Sequence, residues 1–211
     1  MEELKSLLRD YNIRHKEECC LAPWNTQFCD DTFPYYWTLV FDILNNLNRD
    51  YRVVEVGCGL GAITSILCYQ GYKNILAFER EKKLANITSR RIKELFGRTN
   101  IVLPIEYPSA TQYTCDILIL VNCSYAGNSK TKKEYLDYLH TVYETSGMPR
   151  YFIMEVIDDS YTLPNDEFPM HIRLNKNDVN WLFPSHSIKS WATYTYPLNK
   201  KSKTLYLIER I

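Results

Sequence analysis

The 211-residue sequence has no excess of charge of either sign. Lys plus Arg and Asp plus Glu number 25 each, and the formal net charge is 0. Such a chain has no general attraction to a phosphate backbone, which argues against nucleic acid as a generic partner. Long apolar runs are also missing. The longest, residues 117–121, is far short of a bilayer span, and residues 1–10 interleave Leu4, Leu7 and Leu8 with acids and bases where a signal peptide would be continuously apolar. The seven cysteines are odd in number and irregular in spacing, with Cys19 and Cys20 adjacent, so a disulfide framework is not expected and the thiols read as reduced. None of them has a metal-ligand spacing. Internal repeats and low-complexity segments are lacking as well. These absences lead to the expectation of a cytoplasmic protein without a membrane segment or a metal; they leave the oligomeric state open.

What is present is a globular composition, 45% apolar and 24% charged, enough for one core. Residues 1–50 read as a helical cap. Leu4, Leu7, Leu8 and Tyr11 recur at helical spacing within 3–18, and Tyr35, Trp37, Phe41, Leu44 and Leu47 mark a second helix after Pro34. Residues 51–211 read as the main domain, forming one structural unit with the cap. Short apolar runs at 52–56, 74–78, 101–105, 116–121 and 150–157 alternate with helical segments at 62–69, 82–96 and 131–145. The connection 105–116 is short and contains Pro108, so a crossover helix is not expected there. Runs at 187–196 and 204–210 flank a Pro- and Lys-rich turn and read as an antiparallel hairpin, with Lys200, Lys201 and Lys203 as exposed protection against edge pairing. The expected fold is α/β: a doubly wound, mostly parallel sheet of about seven strands, with a C-terminal antiparallel hairpin and an N-terminal helical cap.

The strongest chemical signal is the stretch from Val53 to Ala62, an apolar strand that runs through Gly57, Gly59 and Gly61 into a helix. The backbone must turn sharply at the strand end and admit a ligand close to the main chain, and the helix start offers unpaired N–H groups. Glu79, at the end of the next apolar run, stands where an acid can accept from two ribose hydroxyls. A dinucleotide fingerprint also fits Gly57, Gly59 and Ala62, but Glu55 beside the turn would repel a pyrophosphate. The chain after the glycine turn reads as one sheet's worth of elements and a terminal hairpin, which leaves no separate nicotinamide or substrate domain.

Glu55, Gly57, Gly59 and Gly61, followed by Glu79 and a terminal hairpin, resemble the class I, seven-strand S-adenosylmethionine-dependent methyltransferases over residues 52–211. The resemblance implies adenosylmethionine as cofactor. Gly57, Cys58 and Gly59 would line its methionine part, Glu55 would lie near the cationic end, and Glu79 would hold the ribose. Arg80 and Glu106 or Tyr107 would approach adenine, and Val121 and Asn122 would face the sulfonium and substrate.

Candidates for the acceptor side come from loops at the carboxyl ends of the strands and from the cap. Asn122 to Tyr125 is similar to the Asn-Pro-Pro-Tyr motif of amino-methyltransferases but lacks both prolines; Tyr125 is a catalytic candidate there. Asp158 and Asp159 follow the fifth strand and suit turn positions or substrate contact. No acid after the fourth strand completes a metal site with them. His171, in the long loop beyond, is the best placed histidine for a base. Trp24, Tyr36 and Trp37 of the cap are candidates to wall a planar or cationic substrate. The expected function is methyl transfer to an oxygen or nitrogen of a small molecule. Alternatives are methylation of a protein or nucleic acid, and a silent methyltransferase-like domain that binds a cofactor or partner.

Overall fold

The computed structural model describes residues 1–20, 23–30, 32–123, 129–161, 168–195 and 200–211. The cap consists of α1 (Glu2–Arg14), the single turns α2 (Lys16–Cys19) and α3 (Pro23–Thr26), and α4 (Tyr35–Asn45). An alternation follows: β1 (Arg52–Val56), α5 (Ala62–Tyr69), β2 (Asn74–Phe78), α6 (Lys82–Phe96), β3 (Val102–Leu103), β4 (Ile117–Leu120), α7 (Lys132–Thr145) and β5 (Tyr151–Asp158). A 3-10 turn (Met170–Ile172), β6 (Arg173–Leu174), α8 (Lys176–Leu182), β7 (His186–Thr195) and β8 (Lys200–Arg210) complete the chain.

The strands form one sheet in the order β3-β2-β1-β4-β5-β8-β7, with β6 beside the end of β5. All pairings among β1 to β6 are parallel, and β8 runs antiparallel to both β5 and β7. Helices cover both faces, which is why β1, β4 and β5 are largely buried and mostly apolar. Leu4, Trp37, Val40, Ile66 and Ile92 from α1, α4, α5 and α6 join Val53, Ile119 and Ile153 in the core on one face. Leu139, Val142 and Val179 from α7 and α8 join Val54, Leu118 and Met154 on the other. The cap is therefore built into the core of the sheet. Among the described residues no helix is long and apolar enough to cross a membrane.

Local chemistry explains most boundaries. Gly97 ends α6 in the left-handed conformation, φ +66°, and Thr131 starts α7 with a capping box to Glu134. The segment between β3 and β4 contains no helix, as Pro108 suggests. Several expectations are corrected. Among the described residues the sheet has eight strands where about seven are expected, because Arg173–Leu174 adds a short rung to β5. β3 keeps only Val102 and Leu103 of the run 101–105, since it pairs at the edge with β2 alone. The first helix breaks at His15. A further helix, α8, starts at an Asn175–Asp178 capping box.

The cysteines need a larger correction. Cys20 and Cys29 form a disulfide, with Cα atoms 6.6 Å apart, whereas Cys19, Cys58, Cys68, Cys115 and Cys123 are thiols outside any disulfide. Two buried amides bring the bridged ends together. Asn12 Nδ2 donates to the Phe28 carbonyl at 2.8 Å, and Asn25 Nδ2 donates to the Cys19 carbonyl. Lys203 is corrected as well: it is 5% exposed and points into the molecule. The side chains of Lys200 and Lys201 lie outside the described ones.

Candidate active site

The glycine turn joins β1 to α5 at the carboxyl end of the sheet. Gly57, Gly59 and Gly61 all have positive φ, at +66°, +54° and +77°. At Gly57 and Gly61 close neighbours also exclude a side chain. A Cβ on Gly57 would stand 2.6 Å from Cys123 Cβ, and one on Gly61 would stand 2.5 Å from Thr88 Cγ2. The turn is held from three sides. The Cys58 N–H donates to the Phe78 carbonyl at 2.9 Å, Thr88 Oγ1 to the Gly59 carbonyl at 2.6 Å, and Arg91 Nη1 to the Leu60 carbonyl at 2.6 Å. Arg91 is wholly buried, and burial lowers its pKa to about 10. Periodicity showed neither of these supports, because their partners are backbone carbonyls in another segment.

Two carboxylates flank the turn. Glu79, 8% exposed, accepts from the Gly59 N–H at 2.9 Å and from the Glu81 N–H at 2.9 Å. Glu55, 3% exposed, accepts from Thr64 Oγ1 at 2.6 Å. Burial pushes the Glu55 carboxyl up to about 7; the Thr64 hydrogen bond opposes this and the Glu79 charge adds to it. Trp24 reaches over from the cap, and its ring lies 3.3 Å from where a Cβ on Gly59 would be. Arg80 and Glu106 meet each other, at 3.6 Å, in an exposed pair at the β2–β3 side. Tyr107 is buried against Phe78 and hydrogen-bonds Ser146. It is therefore a core residue and is withdrawn as an adenine contact.

A second group of polar side chains lies further along the same end. On the face under α4, four strands change from apolar to polar as they approach it: Val53 gives way to Glu55, Ile153 to Glu155, Trp191 to Thr193 and Leu205 to Lys203. Thr193 Oγ1 donates to Glu155 Oε1 at 2.8 Å, and Lys203 Nζ lies 3.5 Å from Glu155 Oε2. Lys203 also donates to Asn122 Oδ1 at 2.6 Å. Asn122, just beyond β4, has φ +54° and lies beside the phenol of Tyr36. Burial, then the nearby Glu155 and Glu55 carboxylates, hold the Tyr36 proton well above its usual range. Tyr36 thus joins the two groups. Glu155, Thr193 and Lys203 were missed in the sequence; the sign available was a polar residue interrupting an apolar face of each strand.

The other candidates separate. Trp37 is fully buried, donates from Nε1 to the Ala62 carbonyl at 3.1 Å and packs edge-on against Phe33 and tilted against Phe41, so it is corrected from substrate wall to core. Asp158 accepts from Thr204 Oγ1 at 2.7 Å and from the Ser160 N–H at 3.0 Å, a turn-forming arrangement at the end of β5. His171 sits in the 3-10 turn packed against α7, on the sheet face away from α4. Its Nε2 is buried without a hydrogen-bond partner among the described residues. Tyr125 lies outside the described residues. Among those described, no three His, Cys, Asp or Glu side chains converge as a metal site would require.

No family model matches the sequence, and no curated protein does. Solved structures do match in fold. The magnesium protoporphyrin IX methyltransferase ChlM from Synechocystis PCC 6803, with bound SAM, aligns with a TM-score of 0.64 at 14% identity over 98% of this chain and 97% of its own. The N-methyltransferase NodS from Bradyrhizobium japonicum WM9 aligns with a TM-score of 0.59 at 11% identity, over 83% of this chain and 94% of its own. The methyltransferase domain of bacterial CtHen1 gives 0.58 at 12% identity, over 83% and 96%. With its strand order, terminal antiparallel pair and glycine turn after β1, the chain has the fold of the class I methyltransferases.

Proposed function

We propose that the chain is an S-adenosylmethionine-dependent methyltransferase acting on an oxygen or nitrogen of a small molecule. The observation that carries this reading is the pair of buried carboxylates, Glu55 and Glu79, on either side of the glycine turn. Acids suit a cofactor with a ribose and two cationic groups, and they would repel a diphosphate. The residues present fit the group: the turn offers main chain bare of Cβ atoms, Glu55 would face the ammonium end, and Glu79 would exchange the Gly59 and Glu81 N–H groups for ribose hydroxyls. Arg80 and Glu106 would border adenine, and Asn122 the sulfonium side. Bound, the cofactor would supply an electrophilic methyl group; the chain's own task is to place the acceptor in line with it and exclude water. The small-molecule preference rests on the neutral chain and on an acceptor side that is buried under α4.

Calorimetric titration with S-adenosylhomocysteine, with NAD in parallel, tests the proposal. Micromolar binding of the first and none of the second is expected, and Glu79→Ala should weaken it by about tenfold or more. A second reading, a silent domain, draws on the position of Trp24 over Gly59. Absence of binding by either ligand would favour it.

A further inference from the structure

Granted the methyltransferase reading, the group around Asn122 bears on which atom receives the methyl. A lysine ammonium has three donors and no lone pair, so the Asn122 atom 2.6 Å from Lys203 Nζ must be the amide oxygen. The amide is thereby fixed in one of its two orientations, with its NH2 edge on the side of Tyr36. Lys203 is fixed in turn by Glu155, which is wholly buried and held by Thr193. A buried ion pair costs desolvation that apolar residues would not, and on β1, β4 and β5 the positions of this face nearer the sheet centre, Val53, Ile117, Ile119 and Ile153, are apolar. Asn122 itself is only half-buried, at the strand end where ligands of such sheets bind.

We infer that Lys203 and Glu155 are positioning residues that lock the Asn122 amide with its donor edge toward the transfer site, so that the site selects an oxygen acceptor carried as a carboxylate or acidic phenol. The ammonium takes up one lone pair of the amide oxygen, the atom an amine acceptor would need for its N–H, and it repels a protonated amine. An oxyanion meets donors instead, from Asn122 and the neutral phenol of Tyr36. The Lys203–Glu155 pair is neutral overall, and the anionic acceptor would face a cationic cofactor.

The test uses the whole chain saturated with S-adenosylhomocysteine, titrated with benzoate and with benzylamine. Benzoate should bind at least about tenfold more tightly. Lys203→Met should abolish that preference, Lys203→Arg should keep it, and Asn122→Asp, which offers acceptors only, should reverse it. The S-adenosylhomocysteine titration of each variant shows whether the nucleotide side survives. If Lys203→Met does not fold, the half-buried Asn122→Asp decides alone. Equal binding of the two probes, binding of neither, or an unchanged preference in a folded variant overturns the inference and leaves the cofactor reading intact. Failure of wild type to bind S-adenosylhomocysteine overturns the cofactor reading, and this inference with it.

Discussion

The two halves of the carboxyl end of the sheet are built differently. The glycine-turn half comes mostly from one stretch, Glu55 to Thr64, completed by Glu79 from the next strand. The Asn122 half is drawn from α4, the end of β4, β5, β7 and β8, with Lys203 and Asn122 81 residues apart in the chain. The first half presents backbone and can be described by spacing. The second presents side chains whose roles depend on which polar group each one meets. A general cofactor suits the first construction and a particular acceptor the second.

The largest effect should come from breaking the second half. Lys203→Met or Glu155→Gln alone should cost about 3–5 kcal/mol in urea unfolding, because the partner is left charged and buried. Replacing both, with Met and Leu, should recover most of that loss; a cost below about 1 kcal/mol for either single change would show that the pair is not the tie described.

The first half should break at its glycines. Gly61→Ala should cost about 2–4 kcal/mol, from a φ of +77° that alanine resists and a contact with Thr88 Cγ2. Thr88→Ser removes that methyl and keeps the hydroxyl bond to Gly59. A double-mutant cycle should therefore show a favourable coupling of about 1 kcal/mol, and strict additivity would count against the contact.

Reduction of Cys20–Cys29 by a dithiol, which takes up the bridge as two thiols while becoming a disulfide itself, should cost about 2–3 kcal/mol by loop entropy. Because Trp24 lies inside that loop and over Gly59, its fluorescence should change on reduction and again with S-adenosylhomocysteine. An unchanged melting temperature would remove the bridge as a support of the cap.

The smallest effect concerns pH. With the Glu55 carboxyl near 7, a cationic ligand group beside it favours the ionised form, so binding below that pH must release a proton. S-adenosylhomocysteine affinity should fall by up to about tenfold per pH unit below 7 and level off above it, and Glu55→Gln should flatten the profile. The stability linkage has the opposite sign. A carboxyl raised above its unfolded value stabilises at low pH and loses that contribution as pH rises toward 7, so Glu55→Gln should gain stability mainly above pH 7.

The legible parts of the fold were those with a local cause. Strands 52–56 and 74–78 and helices 62–69 and 82–96 appear with the boundaries read from apolar runs, glycine and caps. The box at Asn175–Asp178 is equally local, but the helix it starts, Lys176–Leu182, is too short to show a helical period in the sequence. Trp37 misled because an aromatic residue near a site and one beneath it look alike in sequence; only the bond from Nε1 to the Ala62 carbonyl distinguishes them. The Cys20–Cys29 bridge misled because its geometry is set by Asn12 and Asn25, whose buried bonds have no signature in cysteine spacing.

By itself the sequence determined the doubly wound sheet, the glycine turn and the two acids beside it, because backbone conformation and apolar periodicity act over a few residues. Tertiary structure decided that Lys203 points inward, that Glu155 receives it, and that the Asn122 amide is held in one orientation. A hydrogen bond or ion pair depends on the distance between groups in space, and for residues far apart in the chain that distance exists only after the sheet has assembled.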